Sequence, residues 1–212
     1  METITLTIKR NAENKTWDET FCVDIDSGRS TILEALQQIK QDVDPTLAIR
    51  YGCRYKHCGL CGISVNGTAR MACMTKVKTG MTIGPLEKMP ILQDLMVDRS
   101  FVTETIKEKK LFHQPLTGTT PSAINENYLT VSKCTDCLSC VSGSSIYYHD
   151  NRNEVAAPLF FVKLAQLQLH PLNQDDYQSK AHELGVKAYE NSPPIPCPYG
   201  IPIKKIAIDL FL

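Results

Sequence analysis

The sequence predicts an α+β fold in its first half and a helical second half. Residues 4–8 alternate apolar and polar side chains, which is the period-two pattern of a half-buried strand. Residues 158–169 instead carry apolar side chains at helical spacing. Residues 115–122, between these two segments, are rich in Thr, Gly and Pro, which is typical of a loop. We therefore expect two domains, residues 1–105 and 106–212.

The first domain is predicted to begin with a β-hairpin followed by a helix. The strand at residues 4–8 is expected to pair with a second strand at residues 21–25. Apolar side chains three and four positions apart predict a helix over residues 32–39, with Ser30 as its N-cap and Pro45 marking its exit. A strand pair followed by a helix belongs to an α+β fold rather than to a helical one.

A second hairpin is predicted at Asn66-Gly67, because this pair readily adopts the two left-handed conformations of a type I′ turn. Cys73 then lies at the far end of that hairpin. A short strand at residues 81–86 and a charged helix within residues 98–110 are expected to follow.

The second domain is predicted to contain three helices. They cover residues 158–169, 174–184 and 203–212. Gly185 is expected to close the second of them, since glycine is favoured in the left-handed conformation that follows a helix C-terminus.

The composition excludes several classes of protein. Of the 212 residues, 42% are hydrophobic and 22% are charged, which is ordinary for a folded chain and argues against extended disorder. The 23 Lys and Arg residues balance 23 Asp and Glu residues, so no basic excess is present to attract nucleic acid. The first residues lack the apolar core of a signal peptide, and no stretch reaches the length of a membrane span. We expect a cytoplasmic protein.

Nine cysteines stand out, and four of them form the pattern C-x4-C-x2-C-x11-C. This is the plant-type spacing for a 2Fe-2S cluster, in which three thiolates come from one loop and the fourth from a separate hairpin. A four-cysteine zinc site is the alternative, although such sites usually pair two C-x2-C motifs. Residues 54–57, Arg-Tyr-Lys-His, form either a docking patch or a solvated loop tip. The predicted 2Fe-2S ligands are Cys53, Cys58, Cys61 and Cys73.

Three further cysteines form the pattern C-x2-C-x2-C, which begins the run typical of 4Fe-4S ferredoxins. The run breaks at Ser144, where the next cysteine would stand. Cys197 is followed by Pro198, however, and a Cys-Pro pair is the usual form of a remote fourth ligand. A zinc site or a group of redox-active thiols is the alternative. The predicted 4Fe-4S ligands are Cys134, Cys137, Cys140 and Cys197.

These motifs resemble those of the iron-sulfur subunit of the succinate dehydrogenase and fumarate reductase family. The likeness extends to residues 44–47 (Asp-Pro-Thr-Leu), to residues 58–62 and 89–95, and to the pair Cys197-Pro198. The resemblance implies an N-terminal β-grasp domain of the plant-type 2Fe-2S ferredoxin kind, followed by an all-α helical ferredoxin domain. It also implies a flavoprotein partner whose FAD acts on a dicarboxylate.

The sequence departs from the family pattern at the third cluster. Members of the family usually carry a 3Fe-4S cluster that passes electrons to quinone, and its cysteines would fall at Ser144, Lys187 and Pro193. Eight of the nine cysteines are assigned to two clusters, and the ninth, Cys22, is expected to be a buried small hydrophobe. We therefore expect no 3Fe-4S cluster and no direct reduction of quinone.

The resulting hypothesis is an electron-transfer subunit of an oxidoreductase complex, with no catalytic residues of its own. It relays electrons between the FAD of a partner flavoprotein and a further electron carrier or an iron-sulfur or thiol-disulfide subunit. Nucleic acid is not an expected partner, and membrane contact is expected only through partners. Two alternatives stay open: a quinone-linked succinate or fumarate enzyme subunit with a lost third cluster, and a zinc-binding or redox-sensing interaction module.

Overall fold

The structure, a computed structural model, describes residues 2–12, 15–26, 28–113 and 121–212. Most of the predicted loop at residues 115–122 lies outside the described residues. Contacts within the chain divide it into two compact units. The first unit runs to Asp98 and also contains Thr135–Ser142, and the second consists of Arg99–Cys134 and Gly143–Leu212. A short segment from the C-terminal half of the chain therefore belongs to the first unit.

The first unit is built on a five-stranded sheet with the strand order β2-β1-β5-β3-β4. Its strands are β1 (Glu2–Ala12), β2 (Lys15–Ile25), β3 (Gly62–Val65), β4 (Thr68–Met71) and β5 (Met81–Gly84). Strands β1 and β5 are parallel, and the other neighbours are antiparallel. Ile4, Leu6 and Ile8 of β1 are buried, as the alternating pattern predicts. Both predicted hairpins are present.

The helix predicted after the first hairpin is present, but its cap differs from the prediction. Helix α1 covers Ile32–Gln38, and a π-helical turn continues it over Ile39–Val43. The prediction of Ser30 as N-cap is wrong, because Thr31 holds that position. The Thr31 hydroxyl accepts the Glu34 N–H at 3.3 Å, and the Glu34 carboxylate accepts the Thr31 N–H at 2.6 Å. This reciprocal capping box satisfies two backbone donors at once.

The turn of the second hairpin has the predicted conformation. Asn66 and Gly67 have φ angles of 48° and 76°, both left-handed, and they join β3 to β4. The strand predicted at residues 81–86 is shorter and ends at Gly84. Pro85 follows, and proline has no N–H with which to continue the ladder.

Three short elements of the first unit are not among the predicted ones. They are β6 (Ile91–Gln93), β7 (Met96–Val97) and α4 (Ser139–Ser142). Strands β6 and β7 form an antiparallel hairpin with an irregular register. None of the three elements is long enough for a repeating pattern of apolar residues to be recognised.

The described residues of the second unit form helices and no strand. Its α-helices are α2 (Ser100–Glu108), α3 (Glu126–Val131), α5 (Pro158–Gln168) and α6 (Gln178–Glu183). Helix α5 confirms the helix predicted at residues 158–169, and it is buried along most of its length. No helix among the residues that the structure describes is both long and apolar enough to cross a membrane.

The last two predicted helices differ in detail from those in the structure. Helix α6 begins four positions later than predicted, because the Asn173 side-chain amide donates to the Asp175 carbonyl at 2.7 Å and holds a turn there. Gly185 follows the helix with a φ of 79°, as expected for a C-terminal glycine. Residues 203–212 form π-helical and 3₁₀ turns, Lys204–Ile208 and Asp209–Phe211, rather than one α-helix.

Candidate metal centres

The four cysteines of the first pattern all lie in the first unit, at the end of the β3–β4 hairpin. Cys61 precedes β3 and Cys73 follows β4, and the Ala72 N–H donates to the Cys61 carbonyl at 2.9 Å. The hairpin register therefore brings these two cysteines to the same end of the sheet. Cys53 and Cys58 lie in the loop that leads into Cys61. Cys53 is exposed and Cys61 is buried, so the group extends from the surface into the unit.

Backbone amides point at the sulfur atoms of this group. The Cys53 Sγ atom accepts N–H groups from Tyr55 at 3.3 Å, His57 at 3.2 Å and Cys58 at 3.3 Å. The Cys58 Sγ accepts the Cys53 N–H at 3.4 Å. Amide donors of this kind stabilise thiolates and tune the reduction potential of a bound cluster. The loop therefore has the donor set that an iron-sulfur cluster requires.

The fourth cysteine is joined to the loop in the same way. The Lys56 N–H donates to the Cys73 Sγ at 3.4 Å, across 17 positions of sequence. Arg54 and Lys56 have left-handed φ angles of 60° and 38°. Alternating left-handed residues turn successive amides toward one side of a loop and form an anion-binding concavity. This strained backbone is what directs the amides toward the sulfurs.

The thiols at the exposed and the buried end of this cysteine group differ in pKa. Hydrogen bonds from the backbone amides of Tyr55, His57 and Cys58 lower the pKa of the Cys53 thiol to about 7. Burial raises the pKa of Cys61 to about 12. A bound metal centre supplies the positive charge that deprotonates such a buried thiol. Within the described ranges, no group of three or more His, Cys, Asp or Glu side chains is arranged to hold a single metal ion.

The second pattern of cysteines is divided between the two units. Cys137 and Cys140 are buried in the first unit, whereas Cys134 and Cys197 are half-buried in the second. Asp136, which lies between Cys134 and Cys137 in the sequence, has a left-handed φ of 56°. Leu138 also has a left-handed φ, 65°, so this loop repeats the alternation of the first cysteine loop. The assignment of these four cysteines to one 4Fe-4S cluster stays a prediction.

The two cysteine loops meet within the first unit. A Cβ atom on Gly59 would overlap the Thr135 carbonyl oxygen and lie 2.9 Å from both the Thr135 carbonyl carbon and Oγ1. A Cβ on Gly62 would lie 2.8 Å from the Cys137 carbonyl oxygen. These distances are shorter than ordinary van der Waals contacts, so glycine at both positions permits the close approach. The backbone of Thr135–Ser142 therefore packs directly on the loop of the first cysteine group.

The positions at which a third cluster would be bound lie in the second unit. Ser144 is buried, and its Oγ accepts the N–H groups of Ile146 and Tyr147, both at 3.2 Å. Lys187 and Pro193 are exposed. The Ser144 hydroxyl is therefore already engaged by the backbone of its own loop.

Large aromatic side chains fill the core of the second unit. Tyr147, Phe161 and Tyr189 are fully buried. The rings of Phe161 and Tyr189 meet edge to face with their centroids 5.4 Å apart. The Tyr189 hydroxyl donates to the Ala156 carbonyl at 2.9 Å, which satisfies its buried polar atom.

A buried arginine joins the segments that precede and follow the first cysteine group. The Arg10 guanidinium is 5% exposed and contacts Asp44 at 2.5 Å, Asp94 at 2.9 Å and Glu19 at 2.7 Å. Asp94 also accepts the N–H of Ala48 at 2.8 Å. Asp44 and Asp94 belong to two of the segments in which the sequence resembles the family. Their shared structural role is to fix the chain ahead of Cys53.

The prediction that Cys22 is buried is wrong. Cys22 is exposed, whereas its neighbours Phe21 and Val23 are buried. Successive residues of a strand point to opposite faces, so a cysteine between two core residues of β2 faces solvent.

The chain is similar to proteins that bind iron-sulfur clusters. Residues 5–104 match the family described as a 2Fe-2S iron-sulfur cluster binding domain. An uncharacterized iron-sulfur protein of Methanocaldococcus jannaschii is 31% identical over 84% of this chain and 36% of its own length. One subunit of the CoM/CoB fumarate reductase of Methanothermobacter marburgensis is 28% identical over 73% of this chain and 32% of its own length. The chain thus spans about a third of each of these two relatives.

Two further comparisons point the same way. The succinate dehydrogenase iron-sulfur subunit of Paracoccus denitrificans is 30% identical over 61% of this chain and 54% of its own length. A chain of the Mycobacterium smegmatis Sdh1 complex in the apo form superposes with a TM-score of 0.81 at 23% identity, covering 99% of this chain and 93% of that one. This last likeness establishes the fold. Residues 5–104 belong to the family of 2Fe-2S iron-sulfur cluster binding domains, and the chain is similar to the iron-sulfur subunits of succinate dehydrogenases and fumarate reductases.

Proposed function

We propose that this chain is an electron-transfer subunit that relays electrons between an FAD-containing flavoprotein and a further redox partner. Cys53, Cys58, Cys61 and Cys73 hold a 2Fe-2S cluster, and Cys134, Cys137, Cys140 and Cys197 hold a 4Fe-4S cluster. The chain contributes no catalytic residue, because the chemistry on the substrate takes place at the partner's FAD.

The close packing of the two cysteine loops is the observation that carries this proposal. Gly59 and Gly62 allow the backbone between Thr135 and Cys137 to lie against the loop of the 2Fe-2S centre. Electron transfer between two centres weakens steeply with distance, so close packing of their ligand loops favours a relay. A zinc-binding module has no comparable need for two cysteine loops that touch.

The amide contacts of the first centre support a redox role. Three N–H groups directed at the Cys53 Sγ favour the thiolate, and hydrogen bonds to cluster sulfurs are a main means of setting reduction potential. When bound, the cluster accepts or releases one electron at a time. The chain's own contribution is to hold the four thiolates, to supply the amide donors and to keep the inner end of the site buried.

The absence of a third cluster is part of the proposal. A 3Fe-4S centre needs thiolate ligands, and the three positions at which the family pattern would supply them are Ser144, Lys187 and Pro193. The Ser144 hydroxyl accepts two backbone amides of its own loop. Electrons therefore leave through the 4Fe-4S centre to a carrier, or to an iron-sulfur or thiol-disulfide subunit, rather than to quinone.

The names of the relatives support the choice of partners. The P. denitrificans relative is named a succinate dehydrogenase subunit, and the name of the M. marburgensis relative gives a fumarate reductase with CoM/CoB and does not mention quinone. The flavoprotein partner is accordingly of the succinate dehydrogenase or fumarate reductase type, and its substrate is a dicarboxylate.

Purification of the tagged chain with its native partner tests the function. We expect a complex that contains FAD and either oxidises succinate with an artificial electron acceptor or reduces fumarate with an artificial donor. A brown chain with about six iron and six sulfide atoms supports the two clusters, whereas a colourless chain that contains zinc contradicts them. A purified partner complex without flavin contradicts the whole assignment.

A further inference from the structure

The side chain of Arg54 lies against the ring of Tyr51, on the loop of the first cysteine group. The Arg54 guanidinium carbon is 5.8 Å from the centre of the Tyr51 ring, which is within the range of a cation–π contact. Tyr51 is half-buried and Arg54 is exposed, so the ring is the better-fixed partner. The contact joins two residues that stand on either side of Cys53 in the sequence.

The chain that leads into Tyr51 is held by the segment that follows the first cysteine group. The Arg50 guanidinium donates to the Val97 carbonyl at 3.1 Å. The Ala48 N–H donates at 2.8 Å to the carboxylate at position 94, and the Ala48 carbonyl accepts the N–H of position 95 at 3.2 Å. Tyr51 therefore follows directly on an anchored segment, and its ring can act as a fixed support.

The backbone of Arg54 sets the direction of one of the amides that contact the cysteine sulfur atoms. Arg54 has a φ of 60°, a left-handed conformation that strains a residue with a Cβ atom. The next N–H along the chain, that of Tyr55, donates to the Cys53 Sγ at 3.3 Å. Because the torsions of one residue orient the amide that follows, a turn of Arg54 out of the left-handed region would move this N–H away from the sulfur.

We propose that Tyr51 is a positioning residue for the 2Fe-2S cluster: its ring holds Arg54 in the conformation that directs the Tyr55 N–H at the Cys53 Sγ. This inference rests on the function proposed above, and it adds a residue that sets the reduction potential without binding the cluster. An exposed cation–π contact stabilises by an amount comparable with the cost of one left-handed residue. An amide that donates to a ligand sulfur favours the more negative, reduced cluster and so raises its potential.

Redox titration of the cluster-loaded full chain tests this role. Tyr51→Leu removes the aromatic face, so the 2Fe-2S centre should lose the amide donor. We expect the ratio of reduced to oxidised centre at a fixed potential to fall about three- to tenfold, a shift of about 30–60 mV to lower potential for a one-electron couple. Tyr51→Phe keeps the ring and is the matched control, and its potential should equal that of the native chain. Equal potentials for Tyr51→Leu and Tyr51→Phe overturn the inference.

Two substitutions of Arg54 separate its conformation from its charge. Arg54→Gly and Arg54→Ala remove the same charge, but only glycine adopts a left-handed φ without strain. We expect Arg54→Ala to have a lower potential than Arg54→Gly. Tyr51→Leu should change the potential little when it is added to Arg54→Gly, because a glycine at this position needs no support from the ring. Equal potentials for the two Arg54 variants, or an undiminished effect of Tyr51→Leu in the Arg54→Gly background, contradict the inference.

Iron and acid-labile sulfide analysis of each variant separates this inference from the proposed function. If the native chain carries no 2Fe-2S cluster, the proposed function fails. If the native chain and Tyr51→Leu carry equal amounts of the cluster and have equal potentials, the role of Tyr51 fails and the proposed function stands. If Tyr51→Leu does not retain the cluster, the comparison of Arg54→Gly with Arg54→Ala decides the inference.

Discussion

Gly59→Ala tests the contact between the two cysteine loops. Gly59 has a left-handed φ of 67°, a conformation that costs alanine about 1 kcal/mol or somewhat more. The added methyl group would also overlap the backbone carbonyl of Thr135, which has no flexible end that can move aside. Overpacking of this kind costs about 1–3 kcal/mol. We therefore expect Gly59→Ala to destabilise the folded chain by roughly 2–4 kcal/mol.

Gly67→Ala is the matched control for this variant. Gly67 has a similar φ of 76°, but a Cβ there would have no atom within 4 Å. The control therefore carries only the conformational cost. For a chain of this size, we expect the melting temperature of the cluster-loaded protein to fall by roughly 5–15 °C for Gly59→Ala and by about 2–4 °C for Gly67→Ala.

Electron transfer provides a second measurement on the same pair of variants. If the close approach of Gly59 to Thr135 couples the two centres, Gly59→Ala should slow electron exchange between the clusters, and Gly67→Ala should leave it unchanged. Gly59→Ala with a melting temperature and an exchange rate equal to those of Gly67→Ala would refute the reasoning.

Three further predictions concern residues outside the cysteine loops. Asp94→Asn removes the most buried of the carboxylates that contact the Arg10 guanidinium. We therefore expect the free energy of unfolding to fall by about 3 kcal/mol, and an unchanged melting temperature would contradict this. Hydrogen bonds from Thr46 and Arg10 outweigh burial and lower the pKa of Asp44 from 3.8 to about 2. Because the folded pKa lies below the unfolded one, Asp44 contributes about 2 kcal/mol that is present above pH ~4 and is lost as the pH falls toward 2. Asp44→Asn should therefore lower the melting temperature by the same amount at pH ~6 and at pH ~8, where the carboxylate is ionised in both the folded and the unfolded chain, and a difference that changes between these two pH values would be the contrary result. Cys22→Ser should leave iron, sulfide and melting temperature unchanged, because Cys22 faces solvent, and any loss of iron would show that Cys22 contributes to a centre.

Local patterns in the sequence predict the secondary structure of the first unit well. Alternation in β1, the Asn66-Gly67 pair and the spacing of apolar residues in α1 each act over a few positions, and the structure confirms all three elements. The error at the cap of α1 arises because Ser30 and Thr31 are adjacent and both are good N-caps. Only the side chain of Glu34, three positions beyond Thr31, decides between them.

Long-range contacts could not be predicted from these patterns. Arg10 and Asp94 are 84 positions apart, and no periodicity links them. The packing of Gly59 on Thr135 likewise joins two motifs that the sequence presents separately. The cysteine spacing predicts which thiols bind the same cluster, because each type of cluster needs its ligands at particular spacings. It does not identify Tyr55, His57 and Cys58 as the residues whose amides donate to the Cys53 Sγ.

The exposure of Cys22 could have been predicted from the sequence. Phe21 and Val23 have the period of two that marks the buried face of β2, so the residue between them must face the other side. A general preference of cysteine for burial is weaker than this geometric constraint.

Quantitative iron and acid-labile sulfide analysis, combined with electron paramagnetic resonance during a reductive titration of the full chain, tests the central claim most directly. We predict about six iron and six sulfide atoms per chain, with one reducible 2Fe-2S centre and one reducible 4Fe-4S centre. We also predict no signal from a 3Fe cluster in the oxidised protein. About nine iron atoms together with a 3Fe signal, or zinc in place of iron, would contradict the two-cluster relay.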